Sequence, residues 1–131
     1  MTKKKPKAKA AKKASKEPRR PRIYISGPIT KGSREDNFDQ ADEMNRKLIE
    51  AGFAPLNPMF SMFSRYAFDI EHSAWMEVDL AWIECADAVI RLPGESVGAD
   101  IETSHAEKLG IPVVKSVEEL KEVLGVSSGS I

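Results

Sequence analysis

A glutamate lies near the start of a predicted helix, directly after a loop rich in glycine and serine. The apolar run 88–90 predicts a buried strand, the segment 92–98 supplies the loop, and Glu102 falls in or just after the first helical turn. Ala106 and Leu109 follow Glu102 at helical spacing, so this stripe should face the sheet. A carboxylate there lies beside free N–H groups at the carboxyl end of a parallel strand, where open α/β sheets bind ligands. A solvated glutamate in a frayed helix start is the alternative.

A second carboxylate, Asp79, lies among tryptophans on a helix predicted over 70–86. Trp75, Val78 and Trp82 define an apolar face, and the spacing places Asp79 on that same face. Burial disfavours the charged form, so such a carboxylate must find hydrogen-bond donors or have a raised pKa. Two carboxylates in different environments can divide the acid and base steps of glycosidic cleavage. The alternative is a structural aspartate that hydrogen-bonds to a neighbouring loop.

Strands and helices alternate along the chain and would position these residues. Pro55 restricts the second strand to a sheet edge or a strand end. The segment 57–68, rich in Met and Phe without a clear period, predicts either a loop over a pocket or one that packs on the body. The alternation predicts a three-layer Rossmann- or flavodoxin-like α/β domain with a parallel sheet of about four to five strands. The predicted strands are 23–26, 53–56, 87–92 and 111–115, and the predicted helices are 36–51, 70–86, one from about Gly98, and 117–124.

Charge divides the chain into two parts. Residues 1–22 carry 11 Lys and Arg against the single Glu17, a net charge of +10, whereas the rest of the chain carries −10. A Lys/Ala/Pro tail without apolar anchors cannot offset its ordering entropy, so we expect it to be disordered. The predicted organisation is therefore a basic tail over 1–22, an α/β domain over 23–126 and a flexible C-terminus over 127–131.

Several classes of protein are disfavoured by what the sequence lacks. It has no apolar run of membrane-spanning length and no Cys/His cluster, so neither a membrane protein nor a metal site is expected. The glycine pattern of dinucleotide-binding enzymes is absent, and no cofactor is expected. The single Cys85 excludes an intrachain disulfide and agrees with a cytoplasmic setting.

Four motifs together resemble the nucleoside 2-deoxyribosyltransferase superfamily, which includes 2′-deoxynucleoside 5′-phosphate N-hydrolases. They cover most of the body and occur in the order of that family. The motifs are Tyr24-Ile25-Ser26-Gly27-Pro28-Ile29, the run from Asp79 to Val89, Ser96-Val97-Gly98-Ala99-Asp100-Ile101-Glu102, and Gly110-Ile111-Pro112-Val113.

The resemblance implies catalytic roles for three residues. Glu102 falls on the nucleophile that attacks C1′ of the sugar and forms a covalent glycosyl-enzyme intermediate. Asp79 falls on the aspartate that binds substrate and assists departure of the base. Tyr24 falls on the tyrosine that orients the glutamate. An ordinary strand tyrosine is the alternative for Tyr24.

The resemblance also implies a substrate-binding set. Ser96 and Gly98 match the loop that holds the 5′ end or phosphate, and such a loop at a helix start is physically suited to an anion. A generic strand-to-helix turn is the alternative. The other substrate-binding residues that the resemblance implies are Gly27, Pro28 and Ile29 of the first loop.

The first loop departs from the hydrolase pattern Gly-Ser-Ile-Arg and reads Gly27-Pro28-Ile29-Thr30. Lys31 or Arg34 could replace the missing phosphate-binding charge, although a lysine is not a bidentate fork. The Gly-Pro pair resembles the transferases, but those bring an asparagine from a neighbour's C-terminal segment, and this chain has none after Asn57. The serine-bearing end, 127–130, is closer to the hydrolases, although its composition also fits a frayed terminus.

These observations favour a nucleoside 5′-monophosphate N-glycosidase that acts as a homodimer or larger homo-oligomer. A deoxyribosyltransferase is the alternative within this class. A non-catalytic nucleotide-binding module, held on nucleic acid by its basic tail, is the alternative from another class. The sequence does not define the base or distinguish ribose from deoxyribose.

Overall fold

Four short strands alternate with four helices in a computed structural model that describes residues 19–125. A short 3-10 helix, Pro58–Phe63, lies between the second strand and the second helix. The strands are β1 (Arg22–Ser26), β2 (Ala54–Leu56), β3 (Ala88–Arg91) and β4 (Val113–Val114). The helices are α1 (Arg34–Glu50), α2 (His72–Ile83), α3 (Val97–Lys108) and α4 (Val117–Leu124).

The strands form one parallel sheet in the order β2-β1-β3-β4. β2 is an edge strand, which is one of the two positions that Pro55 allows, because proline has no N–H to donate to a second neighbouring strand. The chain leaves β1 in one direction toward β2 and then crosses to β3 on the other side. The sheet therefore has its topological switch point between β1 and β3, where open α/β sheets bind ligands. The predicted flavodoxin-like α/β class is confirmed.

The two faces of β1 pack into different layers because strand side chains alternate. Ile23 and Ile25 join a core cluster that includes Leu48 of α1 and Leu120 of α4. Tyr24 points to the opposite face and packs with Ile83 of α2, Val89 of β3 and Ala106 of α3. Full burial of one such aliphatic side chain stabilises the fold by about 1.5–3 kcal/mol. Ser26, two residues after Tyr24, lies on the same face as Tyr24.

The N-terminal boundary expected at residue 23 is a few residues too late. Arg22 already belongs to β1, and the Pro21 carbonyl accepts a hydrogen bond from the N–H of Ala54 at 2.8 Å. Arg19 forms an ion pair with Asp87 at 2.7 Å. The domain thus includes the last four residues assigned to the tail. The remainder of the basic tail, residues 1–18, and the C-terminal segment 127–131 lie outside the described residues.

The apolar face predicted for α2 is only partly correct. Val78 and Trp82 are exposed, with 46% and 56% of their surface accessible. The side of α2 that packs against the body carries Ile83. Val78 and Trp82 lie around the helix on the other side of Asp79 and therefore face solvent. On α3, Leu109 is also exposed because it is the C-cap residue, beyond the last turn that packs on the sheet.

Within residues 19–125, no helix combines the length and the apolar character that crossing a membrane requires.

Candidate active site

A cleft of about 460 Å³ opens at the carboxyl ends of β1 and β3. The loops after β1 and β3, the segment between β2 and α2, and the starts of α2 and α3 form its walls. Ligand pockets in proteins span roughly 300–1,000 Å³, so the cleft has the size of a small-molecule site. Its position is the one that the topological switch point predicts.

Glu102 lies at the bottom of this cleft, and both of its carboxylate oxygens are held. The Ser26 hydroxyl donates to Oε1 at 2.6 Å, and the Tyr24 hydroxyl donates to Oε2 at 2.9 Å. Only 6% of the Glu102 surface is exposed. Ala99 and Ala106 share its helical stripe and are buried, and such small side chains permit α3 to approach the sheet closely. The alternation of β1 therefore delivers two hydroxyl donors to one buried carboxylate.

The environment of Glu102 raises its pKa to about 7, chiefly through burial. The hydrogen bond from Ser26 opposes this shift, the negative charge of Asp79 adds to it, and the hydrogen bond from Tyr24 opposes it. Burial also raises the pKa of the Tyr24 hydroxyl, and the carboxylates of Glu102 and Asp79 raise it further. Tyr24 therefore stays protonated and remains a hydrogen-bond donor at neutral pH.

Asp79 of α2 lines the cleft beside Glu102 and Tyr24, and burial raises its pKa. Two close carboxylates resist ionising together, so a charge on either one favours a proton on the other. Ser26 and Tyr24 donate to Glu102 and so stabilise its ionised form. A role of Glu102 as a nucleophile would require the state in which Glu102 is charged and the proton is on Asp79.

His72 lies at the exposed rim above Asp79, and its charge opposes the rise in the pKa of Asp79. His72 precedes Asp79 by two helical turns, and this spacing was the signal that could have placed it in the cleft. The sequence suggested no partner for His72.

The loops after β1 and β3 pack closely against each other. A Cβ on Gly27 would lie 2.9 Å from the Cβ of Leu92. Gly94 has a φ of +117°, and a Cβ there would lie 2.8 Å from the Cγ of Pro28. Gly27 and Ile29 line the cleft, whereas Pro28 is buried behind it and supports the loop. The predicted Gly27-Pro28-Ile29 segment therefore contributes two wall residues and one packing residue.

The start of α3 presents polar groups to the cleft. The Ser96 hydroxyl caps the helix by accepting from the N–H of Ala99 at 3.0 Å. The N–H groups of Val97 and Gly98 have no partner within the helix and are suited to an anion. Ser96 and Gly98 both line the cleft, as the sequence predicted for a binding loop.

Apolar side chains line the wall between β2 and α2. Met62 and Phe68 come from the predicted loop over the pocket, Ile70 comes from the turn before α2, and Trp75 and Met76 come from α2. The Trp75 indole N–H donates to the carbonyl of Ala67 at 2.9 Å and fixes this segment to the helix. A flat aromatic group such as a nucleobase would find van der Waals partners here.

Ser26 is a polar residue at the site to which the sequence analysis gave no role. Ser26 had a signal, because it lies two residues after Tyr24 on the same strand face. Lys31 lines the cleft, whereas Arg34 lies over the ring of Phe68 at 5.3 Å. His105 is on the outer surface of α3, where it contacts Glu84 at 3.2 Å.

Among residues 19–125, no group of three or more His, Cys, Asp or Glu side chains is arranged to hold a metal ion. The exposed Cys85 lies outside this cleft.

The fold and the cleft define a parallel α/β domain with a buried, hydroxyl-bound glutamate at the switch point of its sheet. The chain belongs to the family described as "Domain of unknown function (DUF4406)", which matches residues 21–115.

A search of curated protein sequences found no significant match. Among solved structures, the chain is similar to a 2-deoxyribosyltransferase from the psychrotolerant bacterium Bacillus psychrosaccharolyticus, described as a biocatalyst for the synthesis of nucleosides. The TM-score is 0.59 at 20% sequence identity, covering 70% of this chain and 69% of that chain. The similarity confirms the fold that the sequence resemblance implied.

Proposed function

We propose that this protein is an N-glycosidase that cleaves the bond between base and sugar of a nucleoside 5′-monophosphate, with Glu102 as the nucleophile. The observation that carries the proposal is the buried Glu102 carboxylate, whose two oxygens accept hydrogen bonds from Ser26 and Tyr24 at the floor of the cleft. A structural glutamate would avoid such burial, because removing a charge from water is costly without a positive partner.

The first step uses the ionised Glu102 and the protonated Asp79. A Glu102 oxygen attacks C1′ of the sugar, a C–O ester bond forms, and the C1′–N bond breaks. Its electron pair leaves with the base, and Asp79 supplies the proton that the departing nitrogen takes up. Hydrogen bonds from Ser26 and Tyr24 orient the attacking carboxylate and restrict it to one geometry.

The second step returns both carboxyl groups to their starting states. Water attacks C1′ of the glycosyl ester, the bond to Glu102 breaks, and the ionised Asp79 accepts the proton of the water. The net reaction consumes one water and gives the free base and the sugar phosphate. Asp79 thus serves as acid and then as base, as in retaining glycosidases.

The choice of a monophosphate rests on the start of α3. Ser96, Val97 and Gly98 line the cleft together with Lys31, whose side chain contacts Glu95, the residue before Ser96. A phosphate bound there would use binding energy remote from C1′ to align the sugar with Glu102.

Base exchange is the second candidate function. It is favoured by the Gly27-Pro28 pair and by the similarity in fold to a 2-deoxyribosyltransferase. In that reaction a second base, rather than water, would attack the glycosyl ester on Glu102, and Asp79 would again move the proton.

One incubation series tests both candidates. The full chain is mixed with each deoxy- and ribonucleoside 5′-monophosphate and each nucleoside, with and without a second base, and products are separated by chromatography. Free base from a monophosphate supports the hydrolase. A new nucleoside formed only with the second base supports the transferase, and no reaction with any compound rejects both.

A further inference from the structure

An ion pair spans the mouth of the cleft between the loops after β1 and β3. Lys31 Nζ lies 3.8 Å from Glu95 Oε1, and the two side chains are 65% and 80% exposed. Both residues line the cleft. Of the Lys, Arg, Asp and Glu residues on its described walls, Lys31 is the one cation, and Asp79, Glu95 and Glu102 are the carboxylates. His72 at the rim is a further titratable residue.

The backbone on both sides of this ion pair is fixed. The Asn37 amide donates to the carbonyls of Ile29 and Lys31, at 3.2 and 2.8 Å. Across the mouth, Arg91 donates to the carbonyl of Gly94 at 3.0 Å and contacts Asp100 at 3.1 Å. The two backbones are therefore held while the charged ends of Lys31 and Glu95 extend into solvent.

We propose that Lys31 and Glu95 set how strongly the cleft prefers a 5′-phosphorylated nucleoside over an unphosphorylated one, an inference that rests on the proposed function. Lys31 attracts the phosphate. Glu95 limits that attraction by pairing with Lys31 and by repelling the phosphate with its own charge. Glu95 is thus a specificity-determining residue that takes no part in the chemistry.

The pair is suited to this role because it is weak. Exposed ion pairs contribute little to stability, so Lys31 can exchange Glu95 for a phosphate at low cost. A phosphate carries nearly two negative charges at neutral pH and would be the stronger partner. Removing the Glu95 charge should raise kcat/KM for a monophosphate, relative to that for the nucleoside, by roughly five- to tenfold. This is the effect of one charge acting over several ångströms of partly solvated space.

The test measures kcat/KM for a 2′-deoxynucleoside 5′-monophosphate and for the matching nucleoside at low ionic strength. The ratio of the first value to the second is then compared between variants. The variants are Glu95→Gln, Lys31→Gln and the double variant. Glu50→Gln is the matched control, because Glu50 forms an exposed ion pair with Arg46 at 3.0 Å at the far end of α1. We expect Glu95→Gln to raise the ratio roughly five- to tenfold and Lys31→Gln to lower it by a similar factor.

Glu95→Gln should raise the ratio less when it is added to Lys31→Gln than when it is made in the wild-type chain. Without Lys31, the substitution removes only the direct repulsion between Glu95 and the phosphate. The gain should also shrink at about 0.3 M salt, where exposed charges are screened. A ratio that stays within twofold in Glu95→Gln, or falls, overturns the inference. An equal rise in Glu50→Gln overturns it as well.

A binding measurement separates failure of this inference from failure of the proposed function. The dissociation constants of the same two ligands are measured by calorimetry in full-length Glu102→Gln protein, with and without Glu95→Gln. If no variant cleaves any compound but the ratio of affinities shifts as expected, the proposed function is wrong and the selectivity assignment stands. If cleavage occurs and neither ratio shifts, the selectivity assignment is wrong and the proposed function stands.

Discussion

Two hydroxyl groups and one buried carboxylate form the centre of the cleft. Tyr24 and Ser26 reach Glu102 because they are two residues apart on one strand, and Glu102 shares the inward stripe of α3 with two alanines. Each donor touches a different oxygen, so the carboxylate cannot rotate without losing a charge-assisted hydrogen bond. The orientation of the proposed nucleophile is therefore determined by the strand before any substrate binds.

Tyr24→Phe and Ser26→Ala should each slow glycosidic cleavage by about ten- to a hundredfold, because each removes a hydrogen bond to a charged group worth roughly 1.5–3 kcal/mol. Loss of a donor also raises the pKa of Glu102, so the acid side of the pH–rate profile should move to higher pH. Steady-state rates between about pH 5 and 9 measure both effects. Tyr66→Phe, at an exposed tyrosine, is the control. An unchanged profile in both site variants would contradict the positioning role.

Glu102→Gln should make the protein more stable above neutral pH while it abolishes cleavage. The pKa of Glu102 rises from 4.5 to about 7 in the folded state, so the folded state binds more protons than the unfolded state between these values. Stability therefore falls as pH rises from about 4.5 to 7, and on the order of 3 kcal/mol is lost by pH 8. Glutamine carries no charge to desolvate and avoids this loss.

Urea unfolding of both proteins at about pH 5 and pH 8 checks this prediction. The difference in unfolding free energy should be larger at pH 8. Glu107→Gln, an exposed position on the same helix, should give no such difference. An equal difference between the two proteins at both pH values would contradict the raised pKa of Glu102.

At the scale of elements, the loops after β1 and β3 make one rigid rim through the contact of Gly94 with Pro28. Gly94→Ala should lower the unfolding free energy by about 2 kcal/mol or more, because the alanine combines a strained φ with a direct clash. Gly110→Ala is the matched control, since Gly110 also has a positive φ, +78°, but nothing lies within 4 Å of its added Cβ. The control should cost about 1 kcal/mol. Equal losses measured by urea unfolding would show that the contact between the loops contributes nothing.

Helices and strands were predictable where the apolar period was long and the boundaries were marked. The helix 117–124 follows directly from periodicity, and the edge position of β2 is one of the two that Pro55 allows. The outward face of α2 was not predictable, because Trp82 and Ile83 are neighbours and only packing determines which of them turns inward. Glu102 and Asp79 were recognisable as carboxylates in apolar surroundings. Ser26 is an ordinary residue type, and its role depends on a contact across the sheet. Lys31 was a candidate for holding a phosphate, but its contact with Glu95 depends on how the two loops meet.

At the scale of the whole molecule, the charge difference between tail and body predicts nucleic-acid binding. Residues 1–18 contain eight lysines and one glutamate, and the deletion should stop there because Arg19–Arg22 contact the domain. We expect the full chain to bind DNA or RNA without sequence preference, with affinity falling steeply with salt as about seven phosphates release counterions. Deletion should remove this binding and leave cleavage of a small nucleotide unchanged.

Filter binding at several salt concentrations measures the first effect, and the nucleotide assay measures the second. No binding by the full chain at low salt would reject the tail as a nucleic-acid arm. Loss of cleavage after deletion would instead assign the tail a role at the cleft. The homo-oligomeric state stays a prediction that size-exclusion chromatography of both proteins would test.

If Glu102 is the nucleophile, it forms a covalent bond to the sugar during turnover, and mass spectrometry of the quenched protein detects that bond. The enzyme is mixed with a cleaved nucleotide, quenched in acid within the first turnover, digested and sequenced by fragmentation. We predict a sugar phosphate adduct on the peptide that contains Glu102, and neither adduct nor cleavage in Glu102→Ala. An adduct on another residue, or cleavage by folded Glu102→Ala at the wild-type rate, would show that Glu102 is not the nucleophile.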